Sequence, residues 1–454
     1  MRHILYFFPI LLLISEQVTA HSSSKSGRFL QATNNVQDAG KEWVLLEDYL
    51  GETDGERSGL GFSVATSLDG QITAYGSPYK DINKGAVGVY KYDSKKGWVQ
   101  MGKDIKGSNR DNYFGQDVAL SYNGQILVAS APRAFGDKGY VRVFRFDSPT
   151  NSWEQIGEDI EGKESLEELG FSVAISQNGN YVALGAPNNP HSAGSVRVYE
   201  YKNNEWKQVG SDIIHENASR DEFGHSVDIL EDGDVFVAIG APSELDSKGS
   251  AGIFMLNPGT REWGQFGGYI NGNVKGTNFG RSVSLAYNKN LLILAVGFPG
   301  PGIDSTSTIL SGAEVYSINR DDEIFDYYGQ MIYPSEKDDN TGYKVSLSED
   351  GQMLALSSPG YGRENGMIRV YKYDINEGKQ GKYKQFGDVI VGDDYAELGF
   401  SLSLSRDGEV VTTGSPERDY VVTYLSPGSS KKVSFVCYLM NHFDVCHAYY
   451  TLFL

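Results

Sequence analysis

This chain of 454 residues contains five tryptophans, and all five fall in one register: Trp43, Trp98, Trp153, Trp206 and Trp263. Tyr328 and Tyr383 continue the series, so the aromatic position recurs at spacings of 55, 55, 53, 57, 65 and 55 residues. In six copies a glutamine follows two residues later, at Gln100, Gln155, Gln208, Gln265, Gln330 and Gln385. A glycine marks a second register at Gly61, Gly115, Gly170, Gly224, Gly280, Gly342 and Gly399. Proline marks a third at Pro78, Pro132, Pro187, Pro242, Pro299, Pro359 and Pro416. A repeat of this length is one supersecondary unit that cannot bury its own faces, so it must stack on copies of itself.

Each unit divides into four short segments of alternating polarity. In the third copy these are Phe171–Ser176, Tyr181–Gly185, Val196–Tyr201 and a segment opening at Trp206. The first two are joined by Asn178-Gly179, and the same dipeptide type recurs as Asp69-Gly70, Asn123-Gly124, Asp232-Gly233, Asp350-Gly351 and Asp407-Gly408. Asn-Gly and Asp-Gly are strong hairpin signals and predict two-residue type I′ turns. The fifth copy departs, with Asn288-Lys289-Asn290. Proline lacks an N–H, so it should end the second strand of each unit.

Four antiparallel strands repeated seven times predict an all-β, seven-bladed β-propeller. The series opens on a fourth-type strand near Trp43 and ends on a third-type strand, Val421–Leu425. The N-terminal strand should therefore complete the last blade, which removes an exposed edge. A further aromatic register (Tyr90, Phe144, Tyr199, Phe254, Tyr316, Tyr371 and Tyr424) is expected to pack between blades rather than to stack on sugars.

Length alone suggests two or three domains, but a ring grows by adding blades, so one propeller over residues 41–430 suffices. The formal net charge of −19 argues against a partner bound through its phosphate backbone, so no nucleic acid is expected. Residues 1–20 read as a secretory signal peptide: Arg2 and His3, an apolar run from Ile4 to Ile14, then Val18-Thr19-Ala20 with small residues at the cleavage positions. Residues 21–40 read as a flexible leader.

Residues 431–454 form a hydrophobic tail that carries both cysteines, Cys437 and Cys446, which could pair in an oxidising compartment. Asn441, His442, Asp444 and His447 interrupt the tail, so it gives no clear transmembrane span, and its Cys/His spacing fits no standard zinc pattern. It reads as a cell-surface attachment, a disordered extension or a misassigned reading frame. Asn217-Ala218-Ser219 is the one glycosylation sequon.

Phe223-Gly224 followed one strand later by Gly240-Ala241-Pro242, with variants such as Leu169-Gly170 and Gly185-Ala186-Pro187, resembles the FG-GAP repeat of the integrin α head propeller. Trp153-Glu-Gln-Ile-Gly-Glu-Asp-Ile160 carries a pattern similar to that of secreted FG-GAP-like proteins. The resemblance covers about residues 43–425 and implies the propeller fold and an adhesive role. Integrin-type blades can carry an Asp-rich calcium loop between the two motifs, but here that segment is a turn such as Ser67-Leu68-Asp69-Gly70. Calcium needs six to eight oxygens, so no metal site is carried over, and no cofactor is expected.

The loops before each Phe-Gly and after each Gly-Ala-Pro should share one face, because strand directions alternate. In the fifth copy the second of these loops, Gly300–Gly312, is five residues longer and contains Asp304, Ser305, Thr306, Ser307 and Thr308. Carboxylates crowd the loop before the Phe-Gly step, at Asp111, Glu167, Glu168, Asp221, Glu222, Asp338, Asp339 and Glu397. From these, Asp111, Glu168, Asp221, Asp339 and Glu397 are candidate binding residues, set against a reading as solvated loop charge. No nucleophile elbow, phosphate loop or dinucleotide fingerprint occurs, and no copy is expected to carry a distinctive acid–base set. The expectation is a secreted, non-enzymatic module that binds an extracellular protein or glycan. The alternative is a propeller hydrolase or lyase that cleaves extracellular polysaccharide with carboxylates at the central mouth.

Overall fold

The computed structural model describes residues 41–46, 57–189, 193–215, 221–303, 309–336, 339–429 and 431. The expected signal peptide and leader, Asn217, Asp304–Thr308, Asp338, Cys437 and Cys446 lie outside the described residues. Seven antiparallel sheets form the blades, and their first strands pack on one another in a closed circuit around the ring axis. In the third blade the order outward is Ser172–Ile175, Tyr181–Ala186, Ser195–Lys202 and Glu205–Gln208. All six residues of Tyr181–Ala186 are buried, as they are in Ile72–Ser77 and Val410–Ser415, because each sheet is covered on both faces by its neighbours. In blades one, two, three and six a two-residue strand such as Ile160–Glu161 pairs beside the outer strand on the same third strand. That strand opens on the isoleucine that ends the tryptophan motif.

The ring closes as expected. Val44–Leu45 pairs antiparallel with Tyr420–Leu425, in the register Val44↔Leu425 and Leu45↔Tyr424. The tryptophans link the rim from blade to blade: Trp98, Trp153, Trp206 and Trp263 donate their indole N–H to the carbonyls of Leu46, Met101, Ile156 and Val209. Each acceptor lies three residues after the preceding tryptophan. Where Tyr383 replaces tryptophan, Gln330 bonds both its N–H and its C=O, at 3.0 and 2.7 Å. The other aromatic register does fill the spaces between sheets: Phe144, Phe254, Tyr316, Tyr371 and Tyr424 are buried.

The glycine of the Phe-Gly step is required by conformation and by space. All seven have φ between +86° and +96°. Opposite lies the second-strand glycine of the preceding blade, and a Cβ on Gly76 would sit 1.9 Å from the carbonyl oxygen of Gly115. The hydroxyls of Ser63, Ser172, Ser226 and Ser401 donate to the carbonyls of Gly115, Gly224, Gly280 and Gly61, the last crossing from blade seven to blade one.

Two expectations need correction. The Asn-Gly and Asp-Gly turns are not type I′, because only the glycine has positive φ, as at Gly70 (+68°). Instead Gly70 N–H closes on the Ser67 carbonyl, Ser67 Oγ donates to Asp69 Oδ1 and accepts from Ile72 N, and Asp69 Oδ1 also accepts from Gln71 N. The side chains stabilise a longer loop that the dipeptide alone does not specify. Secondly, Pro299 does not end its strand. Leu291–Ile303 and Ile309–Asn319 run on past it as a hairpin, with Pro299↔Ser311 and Ile303↔Ile309 paired, so the lengthened loop is a strand extension.

Candidate functional site

The two sets of loops do share one face. Tyr79 N–H donates to the Ser58 carbonyl, Ser243 N–H to the Asp221 carbonyl, and Asn188 Nδ2 to Glu168 Oε2 at 3.0 Å. The approach to each Phe-Gly step is stereotyped. The residue just before the motif is left-handed in every copy: Gly59, Tyr113, Glu168, Glu222, Asn278, Asn340 and Glu397 have φ of 49–67°. The residue before that is buried in every copy: Ser58, Asn112, Glu167, Asp221, Thr277, Asp339 and Ala396.

This backbone splits the acidic candidates. Asp339 is fully buried and accepts from the amides of Ser335, Glu336 and Thr341, at 2.7, 3.3 and 3.0 Å. Glu167 is fully buried in a bidentate pair with Arg197, both contacts 2.9 Å, and Arg197 also meets Asp212. These two are structural and are neither binding groups nor solvated charge, because the conserved loop shape turns their position inward. Asp221 is buried as well and hydrogen-bonds His215 at 3.1 Å. Asp111, Glu168 and Glu397 stay on the surface side. Asp111 accepts from Asn83 at 3.1 Å. Partial burial raises the Glu168 carboxyl, and Glu397 is raised by burial and then by Glu417 and Glu364. No hydrogen bond joins these three to one another among the described residues.

Reading the sequence did not single out the residues that follow the seven glycines: Phe62, Gln116, Phe171, His225, Arg281, Tyr343 and Phe400. Every one is half-buried. They form much of a belt around the ring's mouth. Phe62 meets Phe400 at 4.9 Å and Tyr79 at 5.8 Å, and Tyr79 meets Tyr113 at 6.0 Å. Tyr343 meets Phe400 at 5.6 Å and accepts from Arg281, whose guanidinium lies over its ring at 4.9 Å. Arg133 caps Tyr113 at 5.2 Å, and Phe171 packs on His225 at 4.9 Å. The available signal was positional: reading down the register one residue past the glycine returns three Phe, one Tyr, one His, one Arg and one Gln.

Below the belt the axis carries charge. Asp117, one residue further on, accepts from Val173 N and Val118 N, and burial pushes its carboxyl up to about 6, opposed by Lys344. Burial lowers the Lys344 ammonium, and Asp117 opposes that shift. Asp117 and Lys344 directly precede the innermost strands of blades two and six, Val118–Leu120 and Val345–Leu347, which face the ring axis. His225 is lowered by burial, which Glu222, 3.3 Å away, opposes. The opposite end is plugged. Arg406 of blade seven donates to the Leu285 carbonyl at 3.2 Å, reaches Asp228 at 3.7 Å, and lies over the Tyr122 ring. The mouth is therefore blind rather than a pore.

No family model matches the chain. Hydrazine synthase of Kuenenia stuttgartiensis is similar in structure, with a TM-score of 0.54 and 11% identity over 84% of this chain and all of that one. U3-55K gives a TM-score of 0.49 and 10% identity over 85% of this chain and all of that one. At such identity the hydrazine synthase likeness is one of fold alone. Among the described residues, no helix is long and apolar enough to cross a membrane.

Proposed function

We propose that this protein is a secreted binding module, related to the FG-GAP propellers, that takes an extracellular glycan at the blind mouth of the ring. The observation that carries the reading is the belt of rings, exposed Tyr79 and half-buried Phe62, Phe400 and Tyr343, each touching the next, beside Arg281 and within the same face as Glu397. Aromatic rings stack on the C–H faces of sugars, and flanking carboxylates and guanidinium bond their hydroxyls. A protein epitope could use the same surface. The Phe-Gly step and Gly-Ala-Pro in matching positions support the FG-GAP kinship. A glycan array followed by calorimetry tests the reading: Phe400→Ala and Tyr343→Ala should each weaken a retained glycan by about tenfold. Binding that ignores both variants would refute it, and retention of proteins but no glycans would move the partner class.

A polysaccharide hydrolase or lyase is the second reading, favoured by the carboxyl of Glu397, which burial and then the charges of Glu417 and Glu364 raise. Turnover of an extracellular polysaccharide that is abolished by Glu397→Gln would establish it over simple binding.

A further inference from the structure

The fourth blade breaks the repeat at its rim. In the third blade the buried carboxylate of Glu167 is neutralised by Arg197, which also holds Asp212. At the corresponding positions the fourth blade keeps a buried carboxylate, Asp221, but has Gly252 in place of the arginine and Tyr269 in place of the aspartate. The cation is gone. A second carboxylate, Glu244, is only 9% exposed, and its Oε2 is buried without a hydrogen-bond partner. His215 stands where other copies have glycine, at Gly107, Gly162, Gly272 and Gly392. Its Nδ1 lies 3.1 Å from Asp221 Oδ2 and its Nε2 3.8 Å from Glu244 Oε1. Among the described residues, it is the only ion-pair partner of either carboxylate. Rings of Phe223 and Tyr269, at 5.9 and 4.5 Å, fix the plane of the imidazole.

We propose that His215, Asp221 and Glu244 form a binding site for a divalent transition-metal ion, of which Zn2+ is the best fit. One imidazole nitrogen and two carboxylates are a donor set that suits zinc, and three protein ligands leave a coordination position open to water or a ligand. The donor atoms lie within 4.8 Å of one another. Ligands on a tetrahedral zinc ion lie roughly 3.4 Å apart, so the three side chains would have to rotate to close on the ion. The ion would supply the positive charge that Arg197 supplies in the third blade, and would satisfy the stranded Glu244 oxygen. It would also tie three segments together: the end of the Ile213–Ile214 strand, the approach to Phe223-Gly224, and the turn Glu244–Ser247. The rival is a purely structural one, in which a protonated His215 alone bridges the two carboxylates.

The test is titration of the full chain, stripped with chelator, with ZnCl2 and with CoCl2. One equivalent of Zn2+ should bind, and His215→Asn and Glu244→Gln should each weaken it by about 100-fold or more, since even a supporting group costs up to that much. A measurement on the unaltered protein guards against variants that fail to fold. Its Co2+ complex should show visible d–d bands without thiolate charge transfer, which separates this site from the cysteine-bearing tail. No cobalt spectrum, a thiolate spectrum, or Zn2+ uptake that survives both substitutions in a folded protein overturns the proposal.

Discussion

The indole of Trp43 donates to the carbonyl oxygen of Phe386 at 3.3 Å, joining residues 343 positions apart in the chain. The two rings also meet edge to face at 6.2 Å. Trp43 thus does in the last blade what Trp98 does in the first, although it enters the ring from the opposite end of the sequence. Among the described residues the ring closes by non-covalent pairing, so it depends on this one strand. Trp43→Ala should cost about 3 kcal/mol of unfolding free energy, and Trp43→Phe, which keeps a ring but loses the donor, about 1 kcal/mol. Denaturant melts of the two variants give both numbers, and a Trp43→Phe protein as stable as the wild type would show that the hydrogen bond contributes nothing.

The contact between neighbouring blades predicts a sharp asymmetry among glycines. Gly76→Ala would put a methyl 1.9 Å from the Gly115 carbonyl, and Gly342→Ala would meet the Gly312 carbonyl at the same distance with φ at +86°. Backbone cannot swing away as a side chain can, so each should lower stability by more than about 3 kcal/mol or prevent folding. Gly264, with nothing within 4 Å of its Cβ position, is the control. Gly264→Ala should be neutral or slightly stabilising.

Breaking the buried pair in the third blade should be worse than removing it. Arg197→Met leaves Glu167 charged and fully buried, which should cost about 3–5 kcal/mol. The double substitution Glu167→Gln with Arg197→Met should recover a large part of that loss. Urea denaturation of the two single variants and the double measures the coupling, and strict additivity would contradict the pair's geometry.

Asp117 predicts a pH dependence of defined sign. Its carboxyl ionises near 3.8 in the unfolded chain and near 6 when folded. Between those values the unfolded chain binds fewer protons than the folded one, so this group's contribution to stability falls as pH rises. The wild type should lose ground against Asp117→Asn from about pH 4 to pH 6 and hold a constant difference above it, by at most about 3 kcal/mol. Calorimetric melts of both proteins at several pH values check the slope, and a difference that grows in the opposite direction would reassign the group.

What the sequence made legible was whatever the repeat imposes seven times over. The blade count, the strand order and the role of Trp43 all follow from registers, because each copy confirms the others. The turn at Asp69-Gly70 was misread because its shape is set by the Ser67 hydroxyl, a residue outside the dipeptide. Asp339 and Glu168 look alike in sequence, yet one is buried and the other half-exposed, since Glu168 takes the left-handed position and Asp339 the one before it, a distinction invisible without coordinates. His215 was hidden for a different reason. It matters because Gly252 stands where the third blade has its arginine, which leaves Asp221 and Glu244 without that cation, and that is a relation between distant positions.

The glycine step before Phe62, Gln116, Phe171, His225, Arg281, Tyr343 and Phe400 has a consequence for how such a surface can change. The backbone geometry there is set by the glycine and by the neighbouring blade's carbonyl. The side chain that follows takes no part in that backbone contact and meets its neighbours around the mouth instead. The mouth behaves as seven interchangeable sockets on a fixed frame, so its chemistry can be rewritten one socket at a time, in the laboratory or by descent, while the ring beneath stays the same.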